Sequence, residues 1–351
     1  MSESNFSARG RRRSERDQLD LFRALPGDLA ARDAQDLMAY PFFSLAKSRR
    51  IIPIDFRVGT ILIRVEAVPE HGMATIWDAD VLIWAASQIV EARDAGLKTS
   101  RLMAATPYEI LTFVGRGTSV RDYDRLKAAL DRLQSTTVVT SIRQPTERRR
   151  HRFSWINEWK ETADCHGKPR GLELILPDWF YTGVLNDALV LTIDRGYFDL
   201  TGGLERWLYR LVRKHGGRQG GGWSFDVVHL HAKSGSLSPV KHFAYDLRQI
   251  VRRQTLPGYE LIITQDPNGA ERLNFAPTAI DPLTERLRKR GLVPHPGEKL
   301  RIRSCYRGPQ LSCHRGPDPR AIGDQNRTQR LGAQHLLDLV TLLTGNPSDS
   351  F

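Results

Sequence analysis

Cysteine is scarce in this chain. Cys165, Cys305 and Cys313 are spread over 351 positions, too few and too scattered for a disulfide framework, and a reducing cytoplasm suits them best. Long apolar runs are missing too. The longest, "VLIWAASQIV" at 81–90, is about half of the roughly 20 residues that a membrane-spanning helix needs. No apolar segment follows the arginines of the N-terminus, so no secretory signal is expected. The phosphate-cradling pattern G-x-x-x-x-G-K does not occur. "HGGRQGGGW" is rich in glycine but follows a helical pattern rather than a strand, which argues for a loop. Cys165–His166 and Cys313–His314 are adjacent pairs without metal-finger spacing. The carboxylates are scattered, and none stand out as an acid/base pair. No catalytic residue, metal or cofactor is therefore expected.

Positive charge is what the chain has in excess. Lys and Arg number 52 against 40 acidic residues, a net charge of +12. That suggests a polyanionic partner, namely nucleic acid, an anionic membrane or an acidic protein, with the membrane surface the weak option. The two ends differ from the middle. Residues 1–35 are polar and carry Arg9, Arg11, Arg12, Arg13 and Arg16, a composition expected to stay disordered. Residues 283–351 hold an Arg/Gly/Pro/Gln-rich stretch at 304–334 and a short apolar cluster, "HLLDLVTLL". They are expected to form a disordered C-terminal tail, with at most one brief helix. The folded mass is expected between about Asp36 and Asp281.

Within that range one pattern occurs twice. The first copy opens with a buried helix in "TIWDADVLIWAASQIVEARDAG", closed by Gly96. A short helix, "TPYEILTFV", follows with Thr106 as N-cap and Pro107 at N1. After the turn "GRGTS", Ser119 and Asp122 form the capping box of a longer helix. Tyr123, Leu126, Leu130 and Leu133 face inward; Arg121, Asp122, Arg125 and Arg132 face outward. Strands at 136–143 and 152–157 then flank the basic run "RRRHR" at 148–152. The second copy opens with the helix "GGLERWLYRLVRKHGG", whose apolar residues recur at i, i+3, i+4, i+7 and i+8. "FDVVHLHAK" is a short helix, and Ser238 and Pro239 begin a longer one. Val240, Phe243, Ala244, Leu247, Ile250 and Val251 face inward. Lys241, Tyr245, Arg248 and Arg252 form an outward stripe, joined by His242 and Arg253. A hairpin follows, "YELIIT" and "ERLNF" around "QDPNG".

Helix, short helix, turn, helix and hairpin make a winged helix. The expected fold is thus α+β, with two tandem winged-helix domains at 36–165 and 166–282. In such folds the second helix enters the DNA major groove and the hairpin tip lies on flanking backbone. Arg148, Arg149, Arg150 and Arg152 become a wing tip for phosphates, which position a protein without reading sequence. Arg121, Arg125 and Arg132 form the first helix's basic face. Ser238, Lys241, His242, Tyr245, Arg248, Arg252 and Arg253 are the candidate DNA-binding set on the second, with arginine suited to guanine and Tyr245 or His242 to a thymine methyl or a phosphate. The plain alternative for each is a solvated charged face.

A nicking endonuclease is a rival reading, because "VHLHA" holds His229 and His231 two positions apart, with Tyr245 as nucleophile 14 residues on. On a strand the histidines would share a face; on a helix they point about 200° apart. The position before "SGSLSP" favours a helix. A two-domain transcription repressor is the stronger alternative.

"DLMAYPFFSLAKSRR", "AVPEHGMATIWDADVLIWAASQI", "YDRLKAALDRLQSTTVVTSIR", "LILPDWFYTGVL" and "GGLERWLYRLVRKHGG" closely resemble the replication initiator protein A family of bacterial plasmids. The resemblance spans about residues 15–280 and looks like a branch of the two-winged-helix plasmid initiators. It implies binding of repeated sequences (iterons) in double-stranded origin DNA, origin opening with the host initiator, helicase loading, plasmid copy control and autorepression as a homodimer. Nothing is carried over to the tail. A second stretch, Gln18-Leu19-Asp20-Leu21-Phe22, resembles the peptide by which bacterial proteins dock in the replicative sliding clamp. Leu21 and Phe22 would be its apolar anchors and Gln18 its hydrogen-bonding amide. Contact with single-stranded DNA, or packing on the first domain, are the alternatives.

Overall fold

The computed structural model describes residues 14–144, 149–167, 169–216 and 222–278. Arg9–Arg13, Arg148 at the start of the basic run, the glycine-rich 217–221 and all of 279–351, with Cys305, Cys313 and the expected tail, lie outside the described residues. No described helix is long and apolar enough to cross a membrane.

The chain is a mixed α/β structure. It begins with two short strands, β1 (Leu21–Arg23) and β2 (Arg32–Ala34), then helix α1 (Gln35–Ala39) and the hairpin β3 (Ile54–Val58) and β4 (Ile61–Glu66). Helix α2 (Ala79–Asp94) follows, with buried residues on every side, which is why its apolar run has little helical periodicity. Strand β5 (Leu102–Ala105) leads to α3 (Pro107–Phe113) and α4 (Val120–Ser135), then to β6 (Thr137–Thr140), β7 (His151–Ser154), β8 (Glu158–Ala163) and β9 (Pro169–Ile175). Helix α5 (Asp178–Leu185) and β10 (Val190–Thr192) precede α6 (Gly203–Gly216), β11 (Trp223–Asp226), α7 (Val227–Ser234), α8 (Val240–Arg253) and the hairpin β12 (Tyr259–Gln265) and β13 (Glu271–Pro277).

Among the described residues four sheets result, ordered β1-β5-β9-β8, β3-β4-β6-β7, β11-β13-β12 and β10-β2. All pairings are antiparallel except β1 with β5. The first expected hairpin, β6 and β7, is therefore half of a larger sheet, while the second, β12 and β13, is backed only by β11. One continuous apolar core runs through the described residues, from Phe22 to Phe275.

Local signals act as expected at several points. Thr106 and Glu109 cap α3 reciprocally, with the Thr106 hydroxyl accepting from the Glu109 N–H at 3.2 Å and the Thr106 N–H donating to the carboxylate at 2.6 Å. The Asp122 carboxylate accepts from both the N–H and the hydroxyl of Ser119, at 3.2 and 2.7 Å. Asp266 organises the second hairpin turn by accepting from the N–H groups of Asn268 and Ala270.

Three expectations need correction. Residues 14–35 are not a loose tail. Phe22 is 6% exposed within the core, the Leu25 N–H donates to Gln88 Oε1 at 2.7 Å, and the Arg32 N–H to Ser87 Oγ at 2.8 Å. The segment is held by polar groups buried on α2, a long-range cause that composition does not register. Helix α8 begins one residue later than expected, with Pro239 as its N-cap, and Val240 is exposed. Phe225 and Asp226 belong to β11 rather than to α7, and the Asp226 carboxylate caps α7 through the His229 N–H at 3.0 Å.

Candidate nucleic-acid interface

Helix α8 packs through Phe243, Ala244, Leu247 and Ile250, all buried. That register turns Lys241, His242, Tyr245 and Arg252 to solvent, and their side chains meet no ion-pair or hydrogen-bond partner among the described residues. Two expected members of the stripe are engaged. Arg248 donates both its contacts from Nη1 to the Glu271 carboxylate on β13, at 2.9 and 2.7 Å. Arg253 lies 3.1 Å from Glu205 Oε1. Ser238 presents its carbonyl oxygen 2.7 Å from His231 Nε2, which ties the turn between α7 and α8 together.

The first helix pair is more self-paired. Leu126, Leu130 and Leu133 are buried, and Tyr123 is partly so. Arg121 and Arg125 are exposed on α4, but Arg125 sits 3.4 Å from Asp122. Arg132 is turned inward, with Nε and Nη2 donating to the buried Asp78 carboxylate at 2.8 and 2.7 Å. At the hairpin, Arg149 and Arg150 are exposed, and Arg152 pairs with Glu66 at 2.6 Å.

Arg206 and Arg210 of α6 are buried. Arg210 holds Asp33 with Nε and Nη2 at 2.6 and 2.9 Å. Arg206 Nη1 grips both oxygens of Asp80, at 2.8 and 2.9 Å, and Arg116 donates to the same carboxylate at 2.8 Å. Burial pushes the carboxyls of Asp33 and Asp80 upward, and the facing guanidiniums offset part of that push. His215, with its Nε2 buried and unpartnered, is pushed down to about 4 by burial and by the charges of Lys214 and Lys233.

His229 and His231 lie on α7, not on a strand. The His229 ring stacks on Phe225, and the His231 ring meets Phe243 edge-on. No group of three or more His, Cys, Asp or Glu suited to a metal occurs among the described residues. Gln18–Phe22 divides between surface and core. Gln18, Asp20 and Leu21 are exposed and Phe22 is buried; Asp20 pairs with Lys98. A peptide docking by Phe22 must first leave the sheet with β5.

Sequence reasoning missed one stretch, Leu45-Ala46-Lys47-Ser48-Arg49. It lines two adjacent clefts, of about 690 and 630 Å³, one against α8 and the other against α4 and its preceding turn. Its residues follow no helical or strand period, so it entered only within the family-like "DLMAYPFFSLAKSRR" and was given no contact of its own.

The family model of replication initiator protein A matches residues 32–261. A protein of Wigglesworthia glossinidia brevipalpis whose given name places it in replication is 31% identical over 228 residues, 64% of this chain and 82% of that protein. Among solved structures, a crystal structure of selenomethionine derivatives of domains 2 and 3 of RctB superposes with a TM-score of 0.51. It is 16% identical, over 68% of this chain and 95% of that one. A second structure of RctB domains 2–3 gives 0.48 at 15% identity, over 73% and 100%. The RctB likeness concerns the fold alone, whereas the family match takes in both helix pairs, β6–β7 and the start of β12. This chain belongs to the replication initiator protein A family.

Proposed function

We propose that this replication initiator binds repeated origin sequences as a double-stranded DNA reader with two winged helices, at 36–165 and 166–282. Helix α8 reads bases from the major groove. Helix α4 and the β6–β7 tip hold the flanking backbone. Binding at the repeats opens the origin and brings in host replication proteins, and occupancy near its own gene limits copy number as a homodimer accumulates.

The observation that carries this reading is the free face of α8. Lys241, His242, Tyr245 and Arg252 expose side chains without partners among the described residues, on the second helix of a helix–turn–helix followed by a hairpin. An amphipathic helix with a merely solvated face normally mixes charges of both signs, whereas α8 has Asp246 as its one acid. Footprinting on DNA beside the coding region tests the reading. Repeated protected sites about one helical turn apart are expected; a single operator supports a repressor instead. In gel shifts, Lys241→Ala and Arg252→Ala should each lose about 1–3 kcal/mol on cognate DNA and far less on scrambled DNA. Equal losses on both would remove base readout from α8.

A further inference from the structure

The stretch from Ser44 to Arg50 connects α1 to β3 and is pinned at both ends. At its start, the Ser44 N–H donates to the Ala74 carbonyl at 3.0 Å, and the Ser44 carbonyl accepts from the Ile76 N–H at 2.9 Å. At its end, the Arg50 carbonyl accepts from the Met73 N–H at 2.8 Å. The buried Arg50 guanidinium donates to three carbonyls, those of Ile52, Gly235 and Pro53, at 2.8, 2.6 and 3.2 Å. Gly235 is the left-handed C-cap of α7, with φ +64°, so Arg50 fastens this stretch directly to the turn of the second helix–turn–helix. The fit is close on both flanks. A Cβ on Gly203 would overlap the Leu45 carbonyl, and one on Gly235 would come within 2.9 Å of Pro41.

Between the pins, Ala46, Lys47, Ser48 and Arg49 stand exposed. Lys47 leans over the Trp77 ring at 5.3 Å, and Arg49 touches the Glu70 carbonyl at 3.3 Å. Neither reaches a carboxylate among the described residues. Ser48 and Arg49 line both clefts and so form the ridge between them. Across one cleft lie Tyr245, Gln249 and Arg253 of α8; across the other lies Arg125 of α4. A rigid backbone that displays two unpaired cations between two candidate reading helices has the form of a phosphate clamp: its conformational cost is met before binding, and charge without base-edge geometry positions rather than discriminates.

We propose that the Leu45–Arg49 loop is a third contact with duplex DNA, in which Lys47 and Arg49 bind backbone phosphates of the segment that passes from one helix pair to the other. This rests on the double-stranded DNA reading above. The test uses the full chain and a duplex carrying the repeat, with affinity followed by fluorescence anisotropy across a salt series. Lys47→Gln with Arg49→Gln should lower the log–log salt slope by roughly 1.8, two contacts at about 0.9 each. The loss should be equal on cognate and scrambled duplex, with an unchanged melting temperature. Arg49→Lys, which keeps the charge, should retain the parent slope. Phosphate ethylation should interfere with parent binding between the two helix footprints and not with the double variant. If the parent binds and Lys241→Ala loses specificity while the double variant keeps the parent slope, the loop contact is wrong and the DNA reading stands. If the parent does not bind duplex DNA, both fall.

Discussion

Helices α4 and α8 occupy the same place in their helix pairs and use their charges in opposite ways. Helix α4 carries four basic residues against three acidic ones. One of its arginines, Arg132, is drawn down to Asp78, and another, Arg125, leans on Asp122. Helix α8 carries Lys241, Arg248, Arg252 and Arg253 against Asp246, and leaves Lys241 and Arg252 without ionic partners among the described residues. Cations committed to neighbours already have part of their electrostatic potential neutralised; free ones have not. On the reading proposed above, that contrast gives the first helix pair the task of holding a duplex in place and the second that of questioning its sequence.

The sharpest way to break this division is through the core that both pairs share. Arg210→Ala strands the buried Asp33 carboxylate without its counter-charge, and should cost about 3–5 kcal/mol in urea unfolding. Replacing the pair together, Asp33→Ala with Arg210→Met, should recover most of that loss. Phe22→Ala comes next, at about 3 kcal/mol or more for emptying a buried aromatic site. Leu21→Ala beside it, exposed, should stay within about 0.5 kcal/mol; equal melting temperatures for the two variants would show that this strand does not belong to the core.

On DNA, the first pair should behave unlike the second. Arg149→Gln with Arg150→Gln should lower the salt slope by roughly 1.8 and weaken cognate and scrambled duplex alike. A loss confined to the cognate duplex would assign base readout to the wing and erase the contrast with α8. The smallest effect concerns pH. His215 titrates at about 4 in the folded chain against 6.5 for the free side chain. The unfolded chain therefore binds more protons between those values, and stability should fall as pH drops from about 6.5 towards 4. His215→Phe, which keeps an aromatic ring against Phe225, should flatten that part of the pH profile.

Periodicity and capping chemistry are local, and what depends on them was legible in the sequence. Leu126, Leu130 and Leu133 face inward, as do Phe243, Leu247 and Ile250, and Thr106 and Ser119 begin their helices. The partners of the arginines were not legible. Arg206 meets Asp80 across 126 positions and Arg210 meets Asp33 across 177, so neither pair leaves a mark in any window. The same distance problem hid the order of residues 14–35, which depends on Ser87 and Gln88 in the buried middle of α2. The Lys47–Arg49 ridge was missed because irregular backbone has no period to detect.

Asp80 sits between the two halves of this arrangement. A single carboxylate receives Arg116, from the turn of the first helix pair, and Arg206, from the helix that opens the second. The interval between the two helix pairs is thereby fixed as on a ruler rather than left to a tether. Each added base pair turns the far part of a target by about 35° around the duplex axis, which a ruler cannot follow. The molecule should forgive a changed letter in its repeat more readily than an inserted one.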